Sequence, residues 1–139
     1  MQMHGSCASK AGSGVLLIGS PGSGKSDLLL RLLDRDFCLV ADDQVEIIDG
    51  MARSPPVLAG MLEVRGLGIL RLAHVAQTRL CLVVDLDRPV SRLPEPIKHP
   101  TLNLPMLGVD ARHASAPAII ELALDCVLAR VVQVAGAFR

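Results

Sequence analysis

A glycine-rich octapeptide between two apolar runs is the feature that most constrains the fold of this 139-residue chain. The octapeptide reads Gly19-Ser20-Pro21-Gly22-Ser23-Gly24-Lys25-Ser26 and matches the pattern G-x-x-x-x-G-K-[ST]. The apolar residues 14–19 that lead into it are typical of a buried strand, and leucines on one side of residues 25–35 are typical of a helix. Strand, loop and helix in this order predict an α/β fold with a phosphate-binding loop.

The residue types in this loop indicate its ligand. Glycines allow backbone N–H groups to turn toward phosphate oxygens, and the start of the following helix adds its positive dipole end. Lys25 is expected to contact the β- and γ-phosphates, and the hydroxyl of Ser26 is expected to ligate Mg²⁺. We therefore predict that residues 19–26 bind a nucleoside triphosphate with Mg²⁺. The motif alone leaves the phosphate acceptor open.

Strand and turn signals continue along the chain without a linker that would divide it. Further strands are predicted from apolar or alternating residues at 37–43, 44–48 and 79–87. The proline-rich segment 88–105 is predicted to be an extended connection, and a helix is predicted from about residue 117 to about residue 133. We predict one domain over residues 1–139, with a mixed sheet and flanking helices.

Two carboxylates, Asp42 and Asp43, close the second predicted strand. An α/β sheet presents its ligand site at the carboxyl ends of its strands, so the pair is expected near the loop. Successive strand residues point to opposite faces, and the two aspartates therefore need not share a role. Phosphoryl transfer requires both a carboxylate near the metal and a group that handles the acceptor proton. The alternative is a polar turn that only ends the strand.

Composition and charge argue against nucleic acid or a membrane as a partner. Fourteen basic and fourteen acidic residues cancel, and the chain has neither Trp nor Tyr, so the electrostatic and stacking features of nucleic-acid binders are missing. Glu121, Asp125 and Arg130 interrupt the longest apolar run, residues 118–132.

The cysteines point to a reducing compartment. Four cysteines are widely spaced without a C-x-x-C pair, and the N-terminal residues lack an apolar signal core. Cys38 and Cys81 lie inside apolar runs and are predicted to be buried free thiols. The prediction is a soluble protein of the cytoplasm.

Three further stretches carry a resemblance to a known family. "MHG" stands at 3–5, "VADD" closes the second predicted strand at 40–43, and "LEVRGLGIL" occupies 62–70. Together with the loop, they resemble the catalytic C-terminal domain of HPr kinase/phosphorylase, in a short form without the N-terminal regulatory domain. The resemblance implies a P-loop domain of the HPr kinase/PEP carboxykinase-like type. It also implies a kinase that uses ATP and Mg²⁺ to phosphorylate a serine of an HPr-type phosphocarrier protein of the phosphotransferase system, and that reverses the reaction by phosphorolysis.

The same resemblance implies roles for individual residues. Asp43 matches the base that takes the serine proton in the kinase direction and returns a proton in phosphorolysis, and Asp42 supports it or the metal. Glu63 matches a second Mg²⁺ contact, with Arg65 beside it, and His4 matches an active-site histidine. Lys25 and Ser26 keep the phosphate and Mg²⁺ roles predicted from the loop.

The resemblance further implies a homo-oligomer, which is a hexamer in the family. The family also carries an arginine in a Gly-Arg-Asn context near its C-terminus, and "HASAPAIIE" has no arginine in register. The kinase direction is therefore the first expectation.

Simpler interpretations remain for several of these features. Glu63 and Arg65 share a strand face and are also compatible with an exposed ion pair, and His4 with a solvated histidine. A small-molecule P-loop kinase would need a substrate pocket and an arginine lid between 88 and 112, where Arg88 and Arg92 lie. A non-catalytic ATP-binding regulatory module would need only the loop.

Overall fold

Eleven strands, two α-helices and a short 3₁₀ turn at Pro56–Leu58 make up the structure, a computed structural model that describes residues 1–139. The strands are β1 (Gln2–His4), β2 (Ser6–Lys10), β3 (Ser13–Ile18), β4 (Cys38–Ala41), β5 (Gln44–Ile48), β6 (Met51–Arg53), β7 (Met61–Val64), β8 (Gly68–Arg71), β9 (Thr78–Asp85), β10 (Ile97–Lys98) and β11 (Pro105–Gly108). The helices are α1 (Lys25–Leu33) and α2 (Ala116–Val127). Neither helix is long and apolar enough to cross a membrane.

Nine of the strands form one mixed sheet, and β7 and β8 form a separate hairpin. The main path of the sheet runs β1-β5-β6-β9-β3-β2-β4. Strands β3 and β9 are parallel and bring Ile18 opposite Asp85, and β11 is parallel to β9. The remaining strand pairs are antiparallel. The predicted α/β fold with a mixed sheet and flanking helices is confirmed.

Alternating side chains of the central strands fill two apolar clusters. On β3, Val15 and Leu17 are buried with residues of both helices, whereas Leu16 is buried with residues of β4, β5 and β6. This division follows from the two-residue period of a strand, which sends successive side chains to opposite faces. The helices therefore cover one face of β3 and β9, and the outer strands cover the other.

Helix α1 is fixed by its leucines, as its sequence pattern predicts. Leu28, Leu29 and Leu32 are fully buried, and Leu62 of the β7–β8 hairpin lies in the same cluster. Burial of one leucine side chain contributes about 1.5–3 kcal/mol. These contacts hold the first turn of α1 against the sheet, where β3 ends.

Three element predictions need correction. Strand β2 was not expected, because "SCASK" has little apolar pattern; its burial comes from pairing with β3 and β4 on both sides. Helix α2 ends at Val127 rather than near Gln133, because Ala129 adopts a left-handed φ of 59° and turns the chain. The segment 88–105 is mostly irregular but contains β10 and the first residue of β11.

The predicted burial is wrong for Cys38 and only partly met for Cys81. Cys38 is exposed on β4, whereas Cys81 on β9 is partly buried and packs against the apolar cluster that contains residues of both helices. The fully buried thiol is Cys7 on β2, and its burial raises the pKa of that thiol. All four cysteines are free thiols, as predicted.

A network of charged side chains joins β2, the end of α1 and α2. Glu121 Oε2 lies 3.2 Å from Lys10 Nζ and 3.2 Å from Arg35 Nε. The hydrogen bond from Lys10, together with the positive charges of Lys10 and Arg35, lowers the pKa of Glu121 below its usual value.

Replacing Glu121 with glutamine is expected to lower the free energy of unfolding by about 0.5–1 kcal/mol at pH 7, because both cations lose their charged partner. A carboxylate with a lowered pKa in the folded state contributes stability that is lost as the pH falls through that pKa. The difference in the free energy of unfolding between the variant and the parent should therefore shrink below about pH 4.

Urea unfolding between pH 7 and pH 3 measures this difference. Glu95→Gln, at an exposed carboxylate without an ion pair, is the control, and a Glu121→Gln effect that persists unchanged at pH 3 would contradict the assignment.

Candidate active site at the phosphate loop

The loop between β3 and α1 has a backbone that its glycines and proline make possible. Ser23 N donates to Ser20 O at 3.0 Å and closes a turn with Pro21 and Gly22 at its centre. Gly22 has a φ of 82°, as the second central residue of a type II turn requires. Gly24 has a φ of 98°, and a side chain at Gly19 would place its Cβ 2.5 Å from Ser23 Oγ.

Several backbone donors of this loop have no partner in the protein fold. The N–H groups of Gly22, Gly24, Lys25 and Ser26 donate to no other backbone group. The last two open α1, so the positive end of the helix dipole acts at the same place. Unpartnered N–H groups at a helix N-terminus are suited to phosphate oxygens, and the loop therefore fits the anionic group that its sequence predicts.

The side chain of Lys25 folds back onto the loop. Its Nζ donates to the carbonyl oxygens of Gly19 at 2.8 Å and Ser20 at 3.1 Å. These are neutral acceptors, so an anion placed on the loop would offer the ammonium group a stronger, charge-assisted bond. The lysine is therefore positioned at the loop and is available to a phosphate.

Asp42 contacts the loop through Ser26. Its Oδ1 accepts hydrogen bonds of 2.8 Å from Ser26 Oγ and of 2.8 Å from Ser6 Oγ. Asp42 is only 9% exposed and Ser6 is fully buried. The carboxylate at the end of β4 thus joins β2 to the first turn of α1. Ser6 was missed by the sequence analysis, since only the unexpected strand β2 brings it to this position.

The pair of Ser26 and Asp42 fits a magnesium ion. A hydroxyl that donates its proton to a carboxylate keeps its lone pairs free for a cation. Mg²⁺ is commonly held by one or two such protein groups together with substrate phosphates and water. No cluster of three His, Cys, Asp or Glu side chains is present, so the protein offers no separate metal cage.

Asp43 differs from Asp42 in its exposure and in its hydrogen bonding. It is exposed, its carboxylate makes no hydrogen bond or ion pair, and its backbone adopts a left-handed φ of 69°. Its carbonyl oxygen accepts a hydrogen bond of 3.1 Å from Gly5 N. A Cβ atom at residue 5 would lie 2.8 Å from the carbonyl oxygen of Leu17. The close packing of residue 5 against β3 therefore requires glycine.

His4 is brought beside the aspartate pair by the sheet. It ends β1, lies opposite Gln44 of β5 and precedes Gly5, which bonds to Asp43. His4 is exposed and its ring has no hydrogen-bond partner in the protein. The "MHG" and "VADD" stretches, whose first residues are 37 positions apart in the chain, thus meet at one point of the structure.

Glu63 lies on β7, and Arg65 lies in the turn that joins β7 to β8. Both are exposed, and neither takes part in an ion pair, so the exposed pair between them that the sequence left open is absent. No hydrogen bond joins either side chain to the loop or to the aspartates. A metal role for Glu63 stays a prediction.

A second carboxylate that the sequence analysis missed holds the other end of the loop. Asp87 accepts hydrogen bonds from Ser20 N at 2.7 Å and from Ser20 Oγ at 2.9 Å. Asp85 accepts one from Asp87 N at 2.9 Å. The signal was present: the predicted strand ending in "VVDLD" closes in two carboxylates, as the strand ending in "VADD" does.

Comparison with known proteins assigns this arrangement to one family. The family model described as the HPr Serine kinase C-terminal domain matches residues 1–113. The HPr kinase/phosphorylase of Bordetella petrii is 42% identical over 102 residues, which cover 65% of this chain and 33% of that protein. The HPr kinase/phosphorylase of an Acidovorax species is 38% identical over 128 residues, which cover 77% of this chain and 40% of that protein.

The relative from Clostridium beijerinckii, also an HPr kinase/phosphorylase, is 48% identical over 73 residues, or 50% of this chain and 24% of that protein. The chain therefore spans between about a quarter and two fifths of the length of these curated relatives. Among solved structures, the Hpr(Ser) kinase/phosphatase from Coxiella burnetii matches with a TM-score of 0.77 and 22% identity, covering 94% of this chain and 92% of that chain. This structural match supports the fold.

Proposed function

The chain belongs to the HPr serine kinase C-terminal domain family, and we propose that it transfers the γ-phosphoryl group of ATP to a serine of an HPr-type phosphocarrier protein. The proposal treats residues 1–139 as one catalytic domain. The relatives are named for this activity, and this chain has the loop and the aspartate pair that the activity needs. We propose that the reaction takes place in the cytoplasm, with ATP as the phosphoryl donor.

The observation that carries the proposal is the hydrogen bond between Ser26 of the loop and Asp42, with Asp43 next in the chain. It brings together the hydroxyl of Ser26, proposed to bind the metal, and the carboxylate of Asp42 that supports it. The unpartnered carboxylate of Asp43 is on the next residue. A turn that only happened to match the loop motif would have no reason to be tied to the aspartates in this way. Phosphoryl transfer needs these groups together.

The proposed base is Asp43. A serine hydroxyl is a poor nucleophile, and a carboxylate within hydrogen-bond reach assists it by accepting the proton as the new P–O bond forms. Asp43 is exposed and its carboxylate has no partner, so it is free to meet a side chain that a second protein presents. Asp42, whose Oδ1 already accepts two hydroxyl protons, is less suited to this task.

The proposed phosphate site is the loop. Its unpartnered N–H groups bind the phosphate oxygens, and Lys25 exchanges its carbonyl acceptors for a phosphate. Ser26, oriented by Asp42, would hold Mg²⁺, with Glu63 as a proposed further ligand. When bound, the ion neutralises charge on the phosphates.

The same groups serve the reverse direction. In phosphorolysis, inorganic phosphate attacks the phosphoserine, the serine oxygen leaves, and pyrophosphate and the free hydroxyl are formed. Asp43 would return the proton to the serine oxygen, and His4, held beside it, would meet the phosphate groups at this end of the site. A homo-oligomer, which the family resemblance implies, stays a prediction.

The proposal is tested by incubating the protein with γ-labelled ATP, Mg²⁺ and purified HPr-type carriers from the same cell. Transfer of label to a serine of one carrier is expected, and its removal on adding inorganic phosphate would demonstrate the reverse reaction. ATP binding without labelling of any carrier would favour a non-catalytic regulatory module. Labelling of a small molecule in a cell extract, with no labelled carrier, would favour a small-molecule kinase.

A further inference from the structure

The peptide group that joins Gly19 to Ser20, at the start of the phosphate loop, is held at both ends by charged side chains. Its carbonyl oxygen accepts a hydrogen bond of 2.8 Å from Lys25 Nζ, and its N–H donates to Asp87 Oδ2 at 2.7 Å. A trans peptide directs these two groups to opposite sides of the chain. The ammonium therefore binds the negative end of the peptide dipole and the carboxylate binds its positive end, so the two charges together fix one peptide plane.

Asp87 contacts Ser20 a second time, through the side chain. Ser20 Oγ donates to Asp87 Oδ1 at 2.9 Å, so each carboxylate oxygen accepts one hydrogen bond from this residue. Ser20 O in turn accepts hydrogen bonds from Ser23 N at 3.0 Å and from Lys25 Nζ at 3.1 Å. The residue that Asp87 holds is thus the one on which the turn of the loop closes.

Asp87 is itself fixed by the end of β9. Strands β3 and β9 end side by side, with Ile18 opposite Asp85, and Leu86 N donates to Ile18 O at 2.9 Å. Asp87 N donates to Asp85 Oδ1 at 2.9 Å, which closes a local turn of the kind that aspartate side chains favour. The carboxylate is therefore presented to the loop from a central strand of the sheet.

The charge of Asp87 opposes the ligand that the loop is proposed to bind. Its side chain is exposed and pairs with no cation. A negative charge beside a phosphate site repels a triphosphate, although solvent and salt weaken the repulsion. The two hydrogen bonds to Ser20 act in the other direction, because they restrict the conformations of the loop. The two effects predict opposite changes in ATP affinity when the carboxylate is removed.

We propose that Asp87 is a positioning residue that keeps the phosphate loop in its binding conformation when Lys25 turns to the nucleotide. This inference rests on the proposed function, in which Lys25 exchanges the carbonyl oxygens of Gly19 and Ser20 for a phosphate. Once the ammonium has left, Asp87 is the charged group that still holds the peptide between these two residues. A loop that is already ordered loses less conformational entropy on binding, so its affinity for the ligand is higher.

The test measures the dissociation constant of ATP with Mg²⁺ by calorimetry on the whole chain, together with kcat and KM for carrier phosphorylation. Asp87→Ala is expected to bind ATP about tenfold more weakly, as the loss of hydrogen bonds to a charged group would give, although it removes a negative charge. Asp87→Asn removes the same charge but can accept one of the two hydrogen bonds, so its affinity should lie between those of Asp87→Ala and the parent. KM for ATP should rise with the dissociation constant, whereas kcat at saturating ATP should fall by no more than about threefold.

Ser20→Ala tests the same contact from the loop side. It removes the hydrogen bond from Oγ without changing any charge and keeps the one from the backbone N–H, so ATP should bind about threefold more weakly. Glu95→Gln is the matched control for loss of one negative charge. Glu95 is an exposed carboxylate in the segment after β9 that likewise has no ion pair, and the ATP affinity should be unchanged.

An ATP affinity of Asp87→Ala equal to or higher than that of the parent would overturn this inference alone, since the carboxylate would then act only as a repelling charge. A fall in kcat at unchanged affinity would assign Asp87 to the chemical step and contradict the inference. A large drop in melting temperature without nucleotide, in both Asp87→Ala and Ser20→Ala, would show a role in the fold as a whole and contradict it as well. Failure of the parent protein to bind ATP would overturn the proposed function and the inference with it.

Discussion

Replacing Asp43 with asparagine should lower the rate of phosphoryl transfer by about 10²–10⁴-fold and leave ATP binding nearly unchanged. The amide has the size of the carboxylate but cannot accept the serine proton. Asparagine also tolerates the left-handed backbone that Asp43 adopts, with its φ of 69°, so the loop to β5 should keep its shape. The loss therefore isolates the chemistry of one side chain.

The measurement is the initial rate of carrier phosphorylation together with the ATP dissociation constant. Asp49→Asn is the matched control: Asp49 is exposed in the β5–β6 turn with a φ of 51°, and the change should affect neither quantity. Asp42→Asn should weaken binding of Mg²⁺ and ATP, because Asp42 holds Ser26. A rate for Asp43→Asn within a few-fold of the parent would show that another group takes the proton.

Replacing Lys25 with methionine should lower the rate by about 10²–10³-fold, the usual cost of removing one preorganised group that stabilises the transition state. Methionine keeps much of the length of the side chain but not its positive charge. The change also removes the hydrogen bonds from Lys25 Nζ to the carbonyl oxygens of Gly19 and Ser20, and because Gly19 is half-buried and Ser20 exposed, we expect water to replace them. ATP binding should weaken, in contrast to Asp43→Asn.

Rates and ATP affinities of Lys25→Met distinguish these two roles, and thermal unfolding without nucleotide shows whether the fold is intact. Lys98→Met, at an exposed lysine on β10, is the control for loss of one positive charge. An unchanged ATP affinity in Lys25→Met would place the lysine outside the phosphate site. A large drop in melting temperature would instead indicate a structural role.

The strand, loop and helix around the octapeptide could be predicted because their requirements are local. Gly22 and Gly24 allow the positive φ angles of the loop, and Pro21 favours its turn. Leu28, Leu29 and Leu32 recur at helical spacing and are buried. The Asp49-Gly50 turn between β5 and β6 is of the same kind, with both residues at positive φ. In each case a few consecutive residues determine the backbone.

What the sequence did not reveal depends on partners distant in the chain. Nothing in "SCASK" indicates a strand until β3 and β4 flank it, and Ser6 becomes a partner of Asp42 only through that strand. The exposure of Cys38 reflects which face of β4 meets the core, which an apolar run does not specify. The roles predicted for His4, Glu63 and Arg65 came from family resemblance, and of these only His4 is tied by the backbone to the aspartate pair.

The two carboxylates that hold the loop also set the order in which the protein can become functional. Ser20 and Asp87 are 67 residues apart in the chain, and Ser26 and Asp42 are 16 apart. Contacts between distant residues form only after the entropy of closing the intervening chain has been overcome. During synthesis, the octapeptide leaves the ribosome long before Asp87, so its complete set of supports arises only when β9 has paired with β3. Under the proposed function, a loop competent to bind nucleotide would therefore form late in folding, although its motif is among the first segments to be made.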